Sequence, residues 1–297
     1  MEHLRTELAL VLGEPVSRVE CISRQPDASL YTLYDDEGDS LPMVAKYFTL
    51  KDAAAQEAQK LSLLAKQGKV RVPLVFGVVS SEQPPLHEVL LLERLGGVAI
   101  AVPARTAKRE QQLRKQIVSG LLAWHKIDSG GLVGTVDSQQ RNGWPAWYRQ
   151  RIEVLWAMVS MRLPAFLSMD DRRILYRSRE RFTRLFSDFN DPCVLVHGNL
   201  SADNILKDPG HDRLLAMINP GPLQWAPREF DLYPFCGFAS GEALLNDYYQ
   251  HAPLDEGFVA RRWLYLLWEE VARWQNHGRF NRPRFQLAAD SLLPWLS

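Results

Sequence analysis

At 297 residues and 34.0 kDa the chain is about twice the usual domain length, which predicts one large domain or two comparable lobes and excludes a disulfide-stapled miniprotein. Its 35 basic and 35 acidic side chains cancel, so no long-range field favours a polyanion and nucleic acid is not an expected partner. A hydrophobic content of 46% with 9 Trp supplies a substantial core and excludes intrinsic disorder.

The chain opens on Leu4, Leu8, Val11 and Leu12, a helical spacing. This apolar run is too short for a signal peptide, and no uninterrupted apolar stretch of about 20 residues follows it, so no membrane association is expected. Ser29 to Tyr34 and Pro42 to Phe48 predict two strands joined by the polar turn Asp35–Asp39. Between Lys51 and Lys66, Ala54, Ala58, Leu61, Leu64 and Ala65 recur at helical intervals. Strands are expected again at Leu74 to Val79 and Val89 to Leu92. Beyond Leu95 the periods lengthen to helices, through Leu113, Ile117, Leu121 and Trp124, then Trp147 to Val159, then Ile174 to Leu185. Two strand-like runs interrupt them, Cys193 to His197 and Leu214 to Ile218, and are expected to pair as a hairpin across a loop containing Asp208, Pro209 and Gly210. The expected architecture is α+β and bilobal, with a small mixed lobe over 1–96, a hinge at Gly96–Gly97 and a larger helical lobe over 97–297. Cys21, Cys193 and Cys236 are few, distant and without zinc spacing, which suits a reducing compartment, so the expected location is cytoplasmic.

The chemistry is concentrated in His197, Gly198, Asn199, Leu200, Ser201, Ala202, Asp203, Asn204, which follow an apolar strand, and in Asn219, at the end of another. Phosphoryl transfer from ATP to a hydroxyl needs a proton acceptor beside the nucleophile and a carboxylate with a neighbouring Asn to hold Mg²⁺ on the phosphates. This layout resembles the kinase-like fold of aminoglycoside phosphotransferases and, more closely, the fructosamine kinase family, whose loop reads His, Gly, Asp, Leu, three variable residues, Asn. The likeness continues through Trp225, Glu229, Phe230, Asp231, Leu232 and Phe235, Cys236, Gly237, Phe238. Gly134, Gln140, Asn142 and Trp144 are similar to another family signature, with two residues inserted between the Gly and the Gln.

The resemblance implies a role for each of these positions. Val44, Ala45, Lys46 look like the strand presenting a phosphate-binding lysine, Glu57 its ion-pair partner, and Leu92, Glu93, Arg94, Leu95 the hinge that meets ATP. His197 resembles a loop organiser, and Asp231 is expected to brace the loop from below. Asn204 and Asn219 occupy the metal-ligand positions. The chain departs from the family at two places: Asn199 stands at the catalytic Asp position, and Asn219 at the second, metal-binding Asp.

An Asn cannot take up a proton at neutral pH, so the general base is missing. Two neutral ligands weaken any Mg²⁺ site. Asp203, beside Asn204, is the first candidate for a substitute acid. Arg24, in a turn that lacks a glycine-rich pattern, is a candidate phosphate contact. Three functions therefore stand: a degenerate kinase that still binds nucleotide, an active ATP-dependent small-molecule kinase with a relocated acid, and a scaffold that binds no nucleotide. The acceptor implied by resemblance is a ketosamine or amino-sugar hydroxyl, and a protein partner is left open. His125, the set Trp144, Trp147, Trp156, and the arginine-rich stretch from Arg172 to Arg184 are expected to serve packing and a solvated helix face.

Overall fold

The computed structural model describes residues 2–81, 87–162 and 164–297. Helix α1 (Glu2–Leu12) precedes a five-stranded antiparallel sheet of β1 (Arg18–Arg24), β2 (Ala28–Tyr34), β3 (Ser40–Phe48), β4 (Val75–Ser81) and β5 (His87–Glu93), in the order β1-β2-β3-β5-β4, with α2 (Ala53–Gln67) inserted between β3 and β4. Strand alternation divides the apolar residues between two cores. Ala45, Val89 and Leu91 face Leu8 of α1, whereas Val44, Phe48, Leu90 and Leu92 face Leu61 and Leu64 of α2. Strand β1 escapes the sequence pattern because it is an edge strand, exposed along most of its length.

The remainder of the chain is mainly helical around two small sheets. β6 (Val98–Ala99) leads to α3 (Ala107–Trp124), β7 (Val133–Thr135), β8 (Gln139–Gln140), α4 (Trp144–Arg162), α5 (Met169–Glu180) and α6 (Phe182–Leu185). Then come β9 (Cys193–Leu195), β10 (Ile205–Lys207), β11 (Leu214–Met217), β12 (Leu223–Pro227), α7 (Arg228–Leu232), α8 (Ala239–Tyr249), α9 (Phe258–His277) and α10 (Arg282–Leu292). The strands form one sheet of order β11-β10-β6 and another of order β8-β7-β12-β9. No helix among the described residues is long and apolar enough to cross a membrane.

The expected hairpin between Cys193–His197 and Leu214–Ile218 is not formed. β9 pairs with β12, and β11 pairs with the short intervening strand β10. The polar turn belongs to the β10–β11 hairpin because Asp208 Oδ1 accepts from the Gly210 and His211 amides at 2.9 and 2.6 Å, closing the chain directly after β10. This exchange of partners puts the two asparagine-bearing turns at the ends of different sheets.

The β10–β11 hairpin is anchored by an almost fully buried pair, Lys207 Nζ to Asp212 Oδ1 at 2.7 Å, and Asp212 also accepts from the Arg105 amide and from Arg109. The Lys207 ammonium, the Arg105 amide and Arg109 pull the Asp212 carboxyl down to about 2 from its ordinary 3.8. A depressed carboxyl contributes stability that is complete above its unfolded value and lost as pH falls through the folded one. The gap in urea midpoint between wild type and Asp212→Asn is therefore expected to be level above pH 4 and to close as pH falls toward about 2. A gap that does not change over that range would disprove the anchoring role.

Candidate functional site

Lys46 lies on the central strand β3 and, by alternation, points to the α2 side of the sheet. Its ammonium is 2.6 Å from Glu57 Oε2 and 2.8 Å from Asn219 Oδ1, with the Lys and Glu side chains only 15% and 10% exposed. One cation thus joins the sheet, helix α2 and the turn after β11. Asn219 itself adopts the left-handed conformation, φ 56°, which Asn tolerates better than most residues, and is followed by Pro220.

The three asparagines close a ring of hydrogen bonds. Asn199 Nδ2 donates to the Asn219 carbonyl at 2.9 Å, Asn219 Nδ2 to Asn204 Oδ1 at 3.5 Å, and Asn204 Nδ2 to the Asn199 carbonyl at 2.7 Å. Every donor in the ring is a carboxamide NH₂. An ionised carboxylate is an acceptor only, so an aspartate at any of the three positions removes a link.

The loop beneath is held by Asp231 of α7, which accepts from the His197 and Gly198 amides at 2.7 Å each and meets His125 Nε2 at 3.3 Å. Burial works against the charge, but His125, His197 and the Gly198 amide together hold the Asp231 carboxyl below its ordinary range. Gly198 is required: at φ +80° it is left-handed, and a Cβ there would lie 2.8 Å from the Leu223 carbonyl oxygen. The His197 ring is fully buried and stacked on Trp124, with centroids 6.0 Å apart, and burial lowers it to about 4, so it is neutral at physiological pH. Helix α7 is fixed in turn by Glu229, whose carboxylate pairs with the buried Arg261 at 2.7 Å and accepts from the Tyr265 hydroxyl.

The other sequence-predicted residues lie outside the ring. In the segment expected as the hinge, Leu92 is buried, Glu93 pairs with Arg71, and Arg94 donates to Ser40 Oγ. The Glu93 and Arg94 amides donate to the Leu74 and Pro42 carbonyls, each at 2.9 Å, whereas the Leu95 N–H has no partner among the described residues. Asp203 is exposed and makes no hydrogen bond among the described residues, so it stands outside the asparagine ring. Arg24 ends β1, and its carbonyl accepts from Arg279 at 3.2 Å, while Asp27 in the same β1–β2 turn lies 3.4 Å from His277. Trp144 is in the core and donates to Tyr265, and His125 is buried against Tyr248 at 2.8 Å. Lys60, a buried lysine one turn beyond Glu57, carries no motif, and its place beside Leu61 and Leu64 on the apolar stripe is the signal that marks it.

These residues do not fit a hard dication. No group of three His, Cys, Asp or Glu side chains converges among the described residues. Asn204 Oδ1 and Asn219 Oδ1 are neutral and already accept hydrogen bonds, the latter from an ammonium. Elsewhere, a cavity of about 280 Å³ between α4 and α9 is lined by Gln140, Trp147, Gln150, Arg151, Gln275 and Asn276, and Gln275 Oε1 is buried there without a partner.

A model described as the phosphotransferase enzyme family matches residues 27–267, most of the chain, including Lys46, Glu57, the asparagine ring and Asp231. The chain belongs to the phosphotransferase enzyme family. This phosphotransferase-family chain is 50% identical over 297 residues to the uncharacterized protein YcbJ of Escherichia coli (strain K12), with both chains covered in full. Its fold is similar to that of a candidate fructosamine-3-kinase of Haemophilus somnus 129PT, with a TM-score of 0.74, 19% identity and coverage of 99% of this chain and 97% of that one. A thermostable mutant of the aminoglycoside phosphotransferase APH(4)-Ia, crystallised with ADP and hygromycin B, is similar at a TM-score of 0.71 and 13% identity, over 99% of this chain and 97% of that one. The fold of the phosphotransferase-family chain is therefore the α+β, protein-kinase-like one.

Proposed function

We propose that this chain is a catalytically degenerate small-molecule kinase, a pseudokinase that binds ATP or ADP without requiring Mg²⁺. The closed asparagine ring is the observation that carries this reading. It occupies the positions where a base and a metal pair are needed, and it is built from donors that a carboxylate lacks. Loss of a general base alone costs about 10² to 10⁴ in rate. Three carboxamides with Lys46 form a donor cluster suited to phosphate oxygens directly, and the unpartnered Leu95 N–H in the hinge supports an adenine contact. The division into lobes at Gly96–Gly97 belongs to the same reading. It is supported by the five-stranded sheet ending at Glu93 and by β6, at Val98–Ala99, pairing with β10.

The acceptor region is assigned to the α4–α9 cavity. Four carboxamides, each both donor and acceptor, beside one indole and the Arg151–Glu269 pair suit a polyhydroxylated compound or amino sugar. The α9 end of the cavity adjoins His277, which meets Asp27 of the β1–β2 turn. A cytoplasmic location is supported by Cys21, an exposed free thiol that a reducing compartment preserves.

Thermal unfolding with ATP, in Mg²⁺ and in EDTA, tests the reading. A ligand at a hundred times its Kd contributes about 2.7 kcal/mol, which raises the midpoint by several degrees. The same rise is expected with and without the metal. No rise in either condition would favour a scaffold that binds no nucleotide. A second reading rests on Asp203, whose exposed carboxylate is unengaged one residue from Asn204. A rise confined to Mg²⁺, with ADP production abolished by Asp203→Ala, would favour an active kinase with a relocated acid.

A further inference from the structure

Lys60 is only 1% exposed and sends its ammonium under the site. Nζ donates to the Val196 carbonyl at 2.5 Å and to the Leu223 carbonyl at 2.8 Å. The two acceptors belong to the strand ends from which the asparagine-bearing turns depart. Val196 follows β9 and immediately precedes His197, Gly198 and Asn199, and Leu223 opens β12 immediately after the turn that holds Asn219. The β9–β12 ladder runs from Cys193 opposite Pro227 to Leu195 opposite Trp225, and beyond it two backbone bonds, from the Val196 amide to the Gln224 carbonyl at 3.1 Å and from the Gly221 amide to the His197 carbonyl at 3.0 Å, still join the two segments where Lys60 enters. There the side chain donates to one carbonyl of each segment.

We infer that Lys60 is a positioning residue: its two hydrogen bonds set the spacing of the Asn199 and Asn219 turns and tie both to the helix that carries Glu57. Lys46, Glu57 and the asparagine ring then keep one geometry because an α2 side chain, together with those two backbone bonds, holds the segments behind them. The titratable groups around Lys60 are Asp231 from α7, with His125, the C-cap of α3, on its far side, the neutral His197 from the loop, and Glu57 one turn back on α2. Burial pushes the Lys60 amine down to about 7 against the attraction of Asp231. The neutral amine still has two N–H groups for two carbonyls, so both bonds survive deprotonation.

Hydrogen exchange on the full chain without nucleotide tests the positioning role. In Lys60→Met, which keeps the length and removes every donor, exchange at the Gly198 and Gly221 amides is expected to accelerate about tenfold or more, while α9 changes less than about twofold. Equal acceleration in both regions, or none at Gly198 and Gly221, would overturn it. If the variant fails to fold, wild type decides. After correction for intrinsic rates, protection at the two glycines should stay level from about pH 6 to about pH 8 while the Lys60 amine titrates. A fall through that titration overturns the two-donor account.

A second arm rests on the nucleotide reading. ATP should raise protection at both glycines in wild type and not in Lys60→Met, and an equal rise in the two proteins would contradict the coupling. If wild type binds no ATP, the nucleotide reading fails, and the nucleotide-free exchange data still decide the role of Lys60.

Discussion

Changing Asn199 and Asn219 together to aspartate is expected to make the protein depend on a divalent cation and to raise ATP turnover over wild type by about a hundredfold or more, the lower end of what a general base contributes. The double variant loses two of the three ring donors, Asn199 Nδ2 and Asn219 Nδ2, and sets two carboxylates side by side. Without a cation these repel, and the thermal midpoint should fall below that of wild type. With Mg²⁺ it should recover, because a carboxylate at 219 beside Asn204 restores a ligand set for a hard ion. Lys46 remains in place, since it donates to Oδ1 of Asn219 at 2.8 Å and a carboxylate there accepts more strongly. ADP release measured against ketosamines, amino sugars and aminoglycosides checks the rate, and calorimetry with and without Mg²⁺ checks the cation dependence. A variant as inert as wild type and indifferent to Mg²⁺ would show that the missing carboxylates do not explain the degeneracy.

The second large effect is expected at Asp231. Asp231→Asn should cost about 3 to 5 kcal/mol in urea unfolding, the range for removing one partner of a buried charged network. The carboxylate accepts from the His197 amide and His125 on Oδ2 and from the Gly198 amide on Oδ1, and an Asn would turn an NH₂ toward one side or the other, leaving either the Gly198 amide or the His197 amide with His125 without an acceptor. The sign with pH follows from the depressed carboxyl: its contribution is complete above the unfolded value and disappears as pH falls through the lower folded one. The deficit of the variant should therefore be largest near neutrality and shrink in acid. A cost below about 1 kcal/mol, comparable to an ordinary hydrogen bond, would show that the loop is held elsewhere.

Much of this architecture is legible in the sequence where burial imposes a period. Val89 to Leu92 reads as a strand because both its faces are buried, one against α1 and the other against α2. Edge strand β1 shows no such pattern because most of it faces solvent. The pairing of β9 with β12 could not be read either, since three-residue strands carry no register of their own and the choice was made by the Asp208 turn and by the ladder into β7. Within the site, the positions of Lys46, Glu57, Asn199, Asn204 and Asn219 stand out by motif. Their connection into a ring does not, because it depends on where three side-chain amides point, and Lys60 carries no motif at all.

The Asn219–Pro220 peptide also bears on how the site ages. An asparagine normally converts to aspartate in an old protein when the nitrogen of the next residue attacks its side-chain carbonyl, and proline has no N–H with which to complete that cyclisation. The amide at 219 is thus shielded from the common spontaneous route to a carboxylate, so the neutral ring is built to last as the protein ages.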